Sequence, residues 1–451
     1  MIFNPKREPG SIMVMVLILT VIAMVLAAIG LELLTREYTH STRSSSWGES
    51  MFMAEAGIER GFYAINQVQL GATNAWSGWT SATNTHSMSN VQLTANATNT
   101  VLGYYDVTVL TTNGASGLTN YYITASGRVP LPDTAGQTVQ RRVQIFVAPY
   151  NPYKFGILAK DSINFNGNNA TVDSYDSSNS SKSTAGQYDV AKRQQNGDVA
   201  TIGTTFQADL AFVYGDLYVG VNGTISGGSN VSGTKNYGLQ VNIPDPRMNW
   251  TPAGTTLDGT TGWPTTAGTG AALWNGNATY GPGDYNVTAI DLNNKTVILN
   301  PSTGKIRIYI SGVTVGHNVK GIDLSGSASI QIATNSYPVE IWTKGYMSLS
   351  GLGIISPANG TPSQLSIFGM TPTDGTSRSV TDTGNGGFKG TIYAPGFDAT
   401  ITGGGVVTGS LVAKTVTMTG TATFHYDEAL NNAIPAAIGY DVVYWVELPP
   451  Y

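Results

Sequence analysis

One apolar run near the N-terminus constrains this chain more than any other feature. Residues 12–31, IMVMVLILTVIAMVLAAIGL, contain no charged residue, no proline and no asparagine. A helix of this length, at about 1.5 Å per residue, crosses a bilayer core of about 30 Å. Lys6 and Arg7 precede the run, so the positive-inside rule predicts that residues 1–9 stay in the cytoplasm. The sequence therefore predicts one attachment to the inner membrane, at the N-terminal end.

Three interpretations of this run remain open. A cleaved secretory signal has a shorter apolar core, of about 7–15 residues, and Ala27-Ala28 lies deep inside this longer run. A plain membrane anchor explains the apolar run equally well. In the third interpretation, the short basic leader that ends at Gly10 resembles the processing site of type IV pilins and pseudopilins. That resemblance implies cleavage after Gly10 by a prepilin peptidase, which leaves Ser11 as the new N-terminus.

Helical periodicity continues beyond the apolar run. An apolar stripe recurs at steps of three and four residues, and it consists of Trp47, Met51, Ala54, Ile58, Phe62 and Ile65. No proline interrupts residues 11–67, so both halves are predicted to form one helix of about 85 Å. A membrane helix that continues as an amphipathic helix predicts a globular unit packed against its second half.

The amino-acid sequence of this helix resembles that of a known family. The stretch SIMVMVLILTVIAMVLAAIGLELLTRE, followed by ESMFMAEAGIERGFYAIN, resembles the PilX-type minor pilins. The most recognisable part of the signature is Ala54, Glu55, Ala56, Gly57, Ile58 and Glu59. The resemblance implies a pilin-like helix and sheet, and it implies other pilin or pseudopilin subunits as partners.

One position departs from the pilin pattern. Major pilins carry glutamate at the fifth mature position, where it neutralises the N-terminal amine of a neighbouring subunit. Counted from Ser11, that position is Met15. An unpaired ammonium group in hydrocarbon is costly, so a subunit without this carboxylate suits the first position of a filament, at its tip. Glu32 lies about 25 Å further along the helix, too far to substitute.

Composition limits the other classes of function. Only 11% of residues are charged, against about 25% in average domains, and glycine reaches 54 residues. The net charge of −5 and the scarcity of basic pairs give no indication of nucleic-acid binding. Cysteine is absent, which excludes disulfides and thiolate metal sites. No motif in the chain indicates a cofactor.

Strand signals begin after the helix. Residues 71–100 have little periodicity and are predicted as a loop region that includes Trp76 and Trp79. Three β-branched and aromatic segments follow, near residues 104–109, 120–125 and 140–147. They predict a small antiparallel sheet on the helix, within a pilin-like α+β domain over residues 71–150.

The remainder contains offset copies of one motif. Two apolar residues, a small residue and a lysine precede an alternating strand at Ile157, at Ile341 and again at Leu411. Gly390 and Gly409 are separated by 19 residues, which suits one coil of a solenoid. These repeats favour a parallel β-helix over residues 151–430, and a β-sandwich is the alternative. Equivalent positions predict a stacked core of Ile163, Phe165, Met347, Leu349, Val416 and Met418.

Two segments are predicted to lie outside the coils. An insertion over residues 244–281, which contains Trp250, Trp263 and Trp274, is predicted to leave the stack as loops. Residues 431–451 are predicted as a C-terminal tail. The phrase HYDE at residues 425–428 resembles the end of a β-helix domain that some PilX-type proteins carry. A leader is predicted at residues 1–10 and a helix at residues 11–70. The sequence as a whole therefore predicts a mainly β protein with a long N-terminal α-helix.

Catalytic motifs are weak. The histidines His40, His86, His317 and His425 share no motif, and no His-Glu-x-x-His pattern occurs. Aspartates between Asp173 and Asp198 lie in a polar segment that is predicted as a solvated loop, with a calcium site as the alternative. Lys160, Lys344 and Lys414 recur at one coil position, where they either bind an acidic glycan or deter association between sheets.

Two functional hypotheses follow. The first is a non-enzymatic minor pilin that displays its β-helix at or near a filament tip, for adhesion to a surface glycan or another environmental ligand, or for priming assembly. The second is a membrane-anchored β-helix enzyme that acts on extracellular polysaccharide. A cleft with two or more carboxylates on one face would favour the enzyme, and a smooth polar face would favour the pilin.

Overall fold

The computed structural model describes residues 10–69, 72–94, 101–113, 119–131, 136–166, 169–255, 272–334, 336–350, 354–357, 359–372, 376–383, 387–432 and 439–449. The predicted leader, residues 1–9, lies outside the described residues, as do the side chains of residues 10–12. A single α-helix spans Gly10–Gln69, 60 residues or about 90 Å. The predicted mainly β fold with one long N-terminal helix is confirmed.

A six-stranded antiparallel sheet packs on the second half of the helix. In spatial order its strands are Thr80–Ser81, Thr85–Thr94, Val101–Asn113, Thr119–Pro130, Thr138–Pro149 and Tyr440–Leu448. Alternation in burial follows the pleat, so that Val107, Val109, Ile123 and Ile145 face the helix. The predicted small antiparallel sheet on the helix is confirmed, with more strands than the sequence indicated.

Two of these strands correct the sequence interpretation. Thr85–Thr94 is a strand within the region predicted as a loop, and its register against Val101–Asn113 shifts twice, which hides its periodicity. Tyr440–Leu448 lies within the predicted tail, yet it pairs with Thr138–Pro149 as the last strand of the sheet. Because its partner is about 300 residues away, no local signal places it there.

The helix packs on the sheet through small residues together with most of the predicted apolar stripe, since Ala54 and Ile65 are buried and Ile58 and Phe62 pack against the same cluster. The helix residues that are buried against the sheet are Ser46, Ser50, Met53, Ala54, Gly57, Gly61, Ala64 and Ile65. A Cβ atom on Gly57 would lie 2.8 Å from the Cβ of Ala125, so a larger residue would separate helix and sheet. Trp47, from the predicted stripe, is 48% exposed.

The second unit is a parallel β-helix of 24 strands in which each coil pairs with the next. Its first leg contains Ile157–Phe165, Thr171–Tyr175, Val199–Thr201, Thr205–Gln207, Phe212–Val213, Leu217–Gly220, Thr224–Ser226 and Lys235–Leu239. Its returning leg contains Ala272–Trp274, Ala278–Tyr280, Gly283–Asn293, Thr296–Leu299, Ile306–Ile310, Val313–Val315, Asn318–Ser325, Ser329–Ile332, Val339–Thr343, Tyr346–Leu349, Ile354–Pro357, Leu365–Gly369, Arg378–Asp382, Gly387–Ile401, Val406–Met418 and Thr423–Asp427. Short 3₁₀ turns occur at Pro152–Lys154, Val190–Lys192, Pro362–Gln364 and Glu428–Asn432.

The chain enters this stack in its middle. Ile157–Phe165 pairs on one side with the next coil of the first leg and on the other side with Val406–Met418, the end of the returning leg. The first leg therefore builds outward in one direction, and the returning leg closes on the starting coil. Both ends of the β-helix then meet at the antiparallel sheet, where the amide of Tyr150 donates to the carbonyl of Gly439 at 2.9 Å.

The structure places the six predicted core residues inside the β-helix. Ile163, Phe165, Met347, Leu349, Val416 and Met418 are each at most 3% exposed and belong to one apolar cluster. Val416 pairs with Ile163, and Met418 pairs with Phe165, in adjacent coils. Gly390 also lies directly beside Gly409, so the 19-residue spacing corresponds to one coil.

A strap of residues 240–255 covers one outer face of the β-helix. An outward column of large side chains lies beneath it, and this column consists of Tyr309, Trp342, Phe368 and Tyr393. The hydroxyl of Tyr393 donates to the carbonyl of Pro244, and Trp250 packs on the guanidinium of Arg307. The predicted insertion is thus packed against the β-helix at Trp250 rather than looped out. Trp274 lies in the first strand of the returning leg, and Trp263 lies outside the described residues.

Candidate functional site

The first half of the helix presents apolar side chains on all sides. From Met13 to Leu34 every large apolar residue is at least 49% exposed, and the helix is long and apolar enough to cross a membrane. Met15 is 66% exposed. Glu32 bonds Arg36 at 2.6 Å one turn away, so its carboxylate is engaged at the end of the apolar part. This half of the helix requires a lipid or protein environment, because water would solvate it poorly.

The signature residues divide between two sides of the helix. Ala54 is fully buried and Gly57 is buried against the sheet, whereas Glu55 and Glu59 are exposed. Ala56 and Ile58 are half-buried beside the same apolar cluster. A Cβ on Gly127 would lie 2.1 Å from the carbonyl oxygen of Ser50, so small residues are needed on both surfaces. The alternation of small and acidic residues is therefore explained by one close helix–sheet contact with a charged outer side.

Gly10 and Ser11 are the first two residues of the helix, and no side-chain geometry is described there. Their predicted role in leader processing therefore stays a prediction.

A closely packed polar cluster lies on the outside of the coils at His425. The Nδ1 of His425 is 2.6 Å from the Oδ1 of Asp173, and the hydroxyl of Tyr188 donates to the other oxygen of Asp173 at 2.7 Å. The ring of Tyr188 stacks on His425 with centroids 3.6 Å apart. Burial and the bond to Asp173 raise the pKa of Tyr188. Every group in this cluster already has a partner, which gives it a structural role.

The same cluster anchors the segment between Asp173 and Asp198, for which the sequence offered a calcium site as the alternative to a solvated loop. Lys182 bonds Glu428 at 2.9 Å, and the amide of Ser177 donates to Asp427 at 2.9 Å. Asp189 accepts from Thr184 at 2.6 Å, which lowers the pKa of Asp189. Among the residues that the structure describes, no group of three or more His, Asp or Glu side chains is arranged to hold a metal ion.

Neighbouring carboxylates on the coils also have internal partners. Asp291 and Asp323 pair in adjacent coils, and the ammonium of Lys320 lies 3.0 Å from each. Asp198 accepts the amide of Asp216 at 2.8 Å, and Asp216 accepts the amide of Thr234 at 2.7 Å. Burial raises the pKa of Asp198, and the hydrogen bond from the amide of Asp216 opposes part of this effect. These pairs hold successive coils together.

One face of the β-helix presents an uncharged polar column. Side chains in register across six coils point outward there, and they are Ser348, Thr381, Thr400, Thr417, Asn164 and Gln207. All six are half-buried. Beyond Ser348 the same column continues in register to Asp323 and Asp291, so the face is uncharged over these six coils and carries carboxylates on the next two.

The three recurrent lysines lie at one corner of the stacked coils, but only two of them are in adjacent coils. Lys414 and Lys160 lie in adjacent coils and line the same groove, whereas Lys344 lies three coils from Lys414. The ammonium of Lys344 is 6.0 Å from the ring of Tyr309, and burial lowers the pKa of Lys344. All three lysines therefore occupy the predicted coil position, with Met370 and Pro395 at that corner in the two coils between Lys344 and Lys414.

Asp382 is a buried acid that the sequence analysis missed. It is 3% exposed and lies in the inward column between Leu349 and Ile401. Within the described structure neither of its carboxylate oxygens has a hydrogen-bond partner. Burial raises the pKa of Asp382 to about 7. The alternation of its strand, Arg378–Asp382, was the signal that would have placed it inward.

Comparisons with known proteins give the following similarities. A family described as a domain of unknown function, DUF7305, matches residues 257–433. A search of curated proteins finds no significant match. The solved structure of the competence-associated pilin ComZ from Thermus thermophilus is similar at 14% identity and a TM-score of 0.26, and the match covers 89% of this chain and 97% of that one.

Two ice-binding proteins are also among the similar structures. The glycosylated protein LeIBP from an Arctic yeast shares 13% identity at a TM-score of 0.24, with 61% of this chain and 91% of that chain covered. The DUF3494 domain of ice-binding protein 1 from Shewanella frigidimarina shares 14% identity at a TM-score of 0.25, with 62% and 98% covered. The DUF7305 match coincides with the returning leg of the β-helix, from Ala272–Trp274 to Thr423–Asp427.

Proposed function

We propose that this protein is a non-enzymatic minor pilin of the PilX type, which displays a β-helix at or near the tip of a type IV pilus or pseudopilus. The observation that carries the proposal is the single 60-residue helix, apolar and exposed in its first half and packed on an antiparallel sheet in its second. This arrangement suits a subunit that waits in the inner membrane, with its N-terminus in the cytoplasm, and then joins other pilin subunits.

The attachment of the β-helix supports display. Its chain leaves the sheet at Thr138–Pro149 and returns at Tyr440–Leu448, and these two strands pair with each other. A domain held at both ends keeps a defined orientation toward the filament, which a single flexible linker would not provide. Adhesion to an environmental ligand and priming of assembly both require such a fixed presentation.

The position of Met15 supports a tip location. A thioether is a poor partner for a buried ammonium group, and the cost of leaving that group unpaired is several kcal/mol. A subunit that has no other above it avoids this cost. The β-helix, which accounts for most of the chain, would also crowd a helical shaft.

The polysaccharide-cleaving alternative receives less support. A pair of free carboxylates flanking a cleft is the usual requirement for glycoside hydrolysis. The neighbouring pairs Asp291–Asp323 and Asp198–Asp216 are instead bonded to Lys320 and to backbone amides. We therefore propose a binding role for the β-helix and not a catalytic one.

Processing is tested first. N-terminal sequencing of the protein from membranes and sheared filaments is expected to begin at Ser11, after cleavage by a prepilin peptidase. Gly10→Val is expected to block that cleavage, whereas Gly30→Val, inside the exposed apolar helix, is the matched control and leaves it intact. A native protein that retains residues 1–10, or one cut near Ala28, contradicts the proposal.

Location is tested separately. Gold-labelled antibody against the β-helix is expected to mark one end of sheared filaments, with few copies on each. The protein is expected to function without a glutamate at the fifth mature position, so Met15→Glu is not needed for function. Regular label along the shaft would contradict the tip position.

A further inference from the structure

A groove crosses the β-helix at one corner because the corner differs in length from coil to coil. Lys414 alone forms this corner in the last coil of the returning leg, and Lys160 with Asp161 forms it in the adjoining coil. On the opposite side the corner lengthens, first to residues 395–397 and then to the segment between Gly369 and Arg378, of which residues 370–372 and 376–377 are described. A short corner between longer ones leaves a depression whose floor is at Lys414.

The depression is an open groove of about 350 Å³. Its lining residues are Lys160, Asp161, Thr371, Pro372, Thr376, Ser377, Pro395, Gly396 and Lys414. It crosses four successive coils, or about 14 Å at the usual spacing of strands. This length admits an extended chain rather than only a single small ion.

The charges in the groove are incompletely compensated. Within the described residues, neither Lys160 nor Lys414 has a hydrogen-bond or ion-pair partner. Asp161 is the single carboxylate among the described lining residues, so the net charge of the described lining is positive. Two ammonium groups in neighbouring strands repel each other, and an anion between them would remove that repulsion. Each ammonium group offers three donors for charge-assisted hydrogen bonds.

The remaining wall suits a polyhydroxylated chain. Ser377 is exposed and offers a hydroxyl, and the rings of Pro372 and Pro395 provide apolar contact surface. The hydroxyl of Thr371 donates to Asp245 at 2.5 Å, which ties the longer wall to the strap. Thr371 is thereby held against the strap at this side of the groove.

We propose that this groove binds an acidic polysaccharide, with an anionic group of the sugar chain between Lys160 and Lys414. The biological use of such binding rests on the proposed display function, whereas the binding itself does not. The anionic group has two chemical sources, the carboxylate of a uronic acid and the phosphate of a phosphodiester-linked polymer. Both make the same charge-assisted bonds with paired lysines.

Binding is measured with the full-length protein in detergent micelles by calorimetry. The probes are polygalacturonate, a poly(ribitol phosphate) polymer and neutral dextran. Both acidic polymers, or either one, are expected to bind, and the choice between them identifies the source of the anion. Lys160→Gln combined with Lys414→Gln is expected to weaken binding at least about tenfold, since two charge-assisted bonds are lost.

The matched control removes the same charge elsewhere. Lys295→Gln combined with Lys305→Gln alters two exposed lysines on the returning leg, outside the groove, and is expected to change affinity less than about twofold. Unchanged thermal unfolding of both double variants shows that the fold is retained. Three results overturn the proposal: no binding of either acidic polymer, equal binding of dextran, or equal losses in the two double variants. Because filament location is measured by antibody label, the display function and this inference fail separately.

Discussion

The two halves of this protein bury their side chains in opposite ways. The helix contributes mainly serine, alanine and glycine to its contact with the valines and isoleucines of the antiparallel sheet, and both elements leave large apolar groups exposed at their margins. The β-helix buries an aliphatic interior and also an outer aromatic column, which the strap of residues 240–255 covers. One half is therefore incomplete without neighbours, whereas the other is complete by itself.

The last strand illustrates the incomplete half. Val442, Val443, Tyr444 and Trp445 are consecutive and between 42% and 57% exposed, on a strand with a single partner in the sheet. Exposed apolar edge strands favour pairing with other chains, and natural proteins usually guard them. Here an irregularity in the register at Val443 and the acidic residue Glu447 provide such protection. The outer column of the β-helix is polar instead, so the two units differ in which side chains they leave exposed.

The largest expected effect breaks the self-contained half. Leu349→Asp places a carboxylate in the inward column directly beside the buried Asp382. We expect a loss of about 4 kcal/mol or more in the free energy of unfolding, because a second carboxyl group without a partner is buried there. Thermal unfolding followed by circular dichroism measures it.

Thr381→Asp is the matched control for that variant, since Thr381 is on the next coil but points outward. Its expected cost is below about 1 kcal/mol. If Leu349→Asp unfolds at the temperature of the parent protein, the inward register assigned to this column is wrong.

The next effect separates helix from sheet in the other half. Gly127→Val would bring a side chain within 2.1 Å of the Ser50 carbonyl and 2.3 Å of the Ala54 amide. Neither backbone atom can rotate away, so we expect about 3 kcal/mol of destabilisation and easier proteolysis between helix and sheet. Gly48→Val, on the same helix with nothing within 4 Å, is expected to change stability by less than about 0.5 kcal/mol. Equal protease resistance of the two variants would contradict the close contact.

A third effect sharpens the comparison through pH. The folded-state pKa of Asp382, about 7, lies above the usual 3.8, so its carboxyl takes up a proton on folding between these values. This group therefore costs the β-helix no stability below pH 4, reduces stability as pH rises toward 7, and has a constant cost above that.

Asp382→Asn is expected to remove this part of the pH dependence. It should raise the melting temperature at pH 8 by a few degrees, since 1 kcal/mol corresponds to about 2–4 °C in a domain of this size class, and change it little at pH 4. Asp291→Asn, on the surface beside Lys320, is the control. A larger gain at pH 4 than at pH 8 would show that the carboxyl is not buried as an acid.

The smallest effect concerns the edge of the sheet. Arg141 donates two hydrogen bonds to Glu447, at 2.7 and 2.6 Å, and these bonds lower the pKa of Glu447. Both groups are partly solvated, so Glu447→Gln is expected to cost less than about 1 kcal/mol. The loss should vanish at acid pH, where the carboxylate of the parent protein is protonated and the same ion pair is lost. Hydrogen exchange of Tyr440–Leu448 measures it, and unchanged exchange at neutral pH would show that the ion pair does not hold this strand.

Local patterns in the sequence were sufficient to predict several features. A twenty-residue apolar run, an uninterrupted helical period and alternating strands are properties of neighbouring residues, and each predicted its element correctly. The repeat was also readable, because Gly390 and Gly409 occupy equivalent positions in adjacent coils. The lengths of the other coils vary, so the repeat gave the corner position of Lys344 but not its distance of three coils from Lys414.

Tertiary structure alone decided the remaining features. The small-residue face of the helix at Gly57, the return of Tyr440–Leu448 to the sheet and the closure of Val406–Met418 on Ile157–Phe165 depend on partners far along the chain. Hydrogen-bonded strand pairing has no local sequence signature for its partner, and the burial of Asp382 or the groove at Lys414 exists only after the coils are stacked. The sequence by itself therefore determined which elements form, and the packing of distant elements determined which of their surfaces remain available.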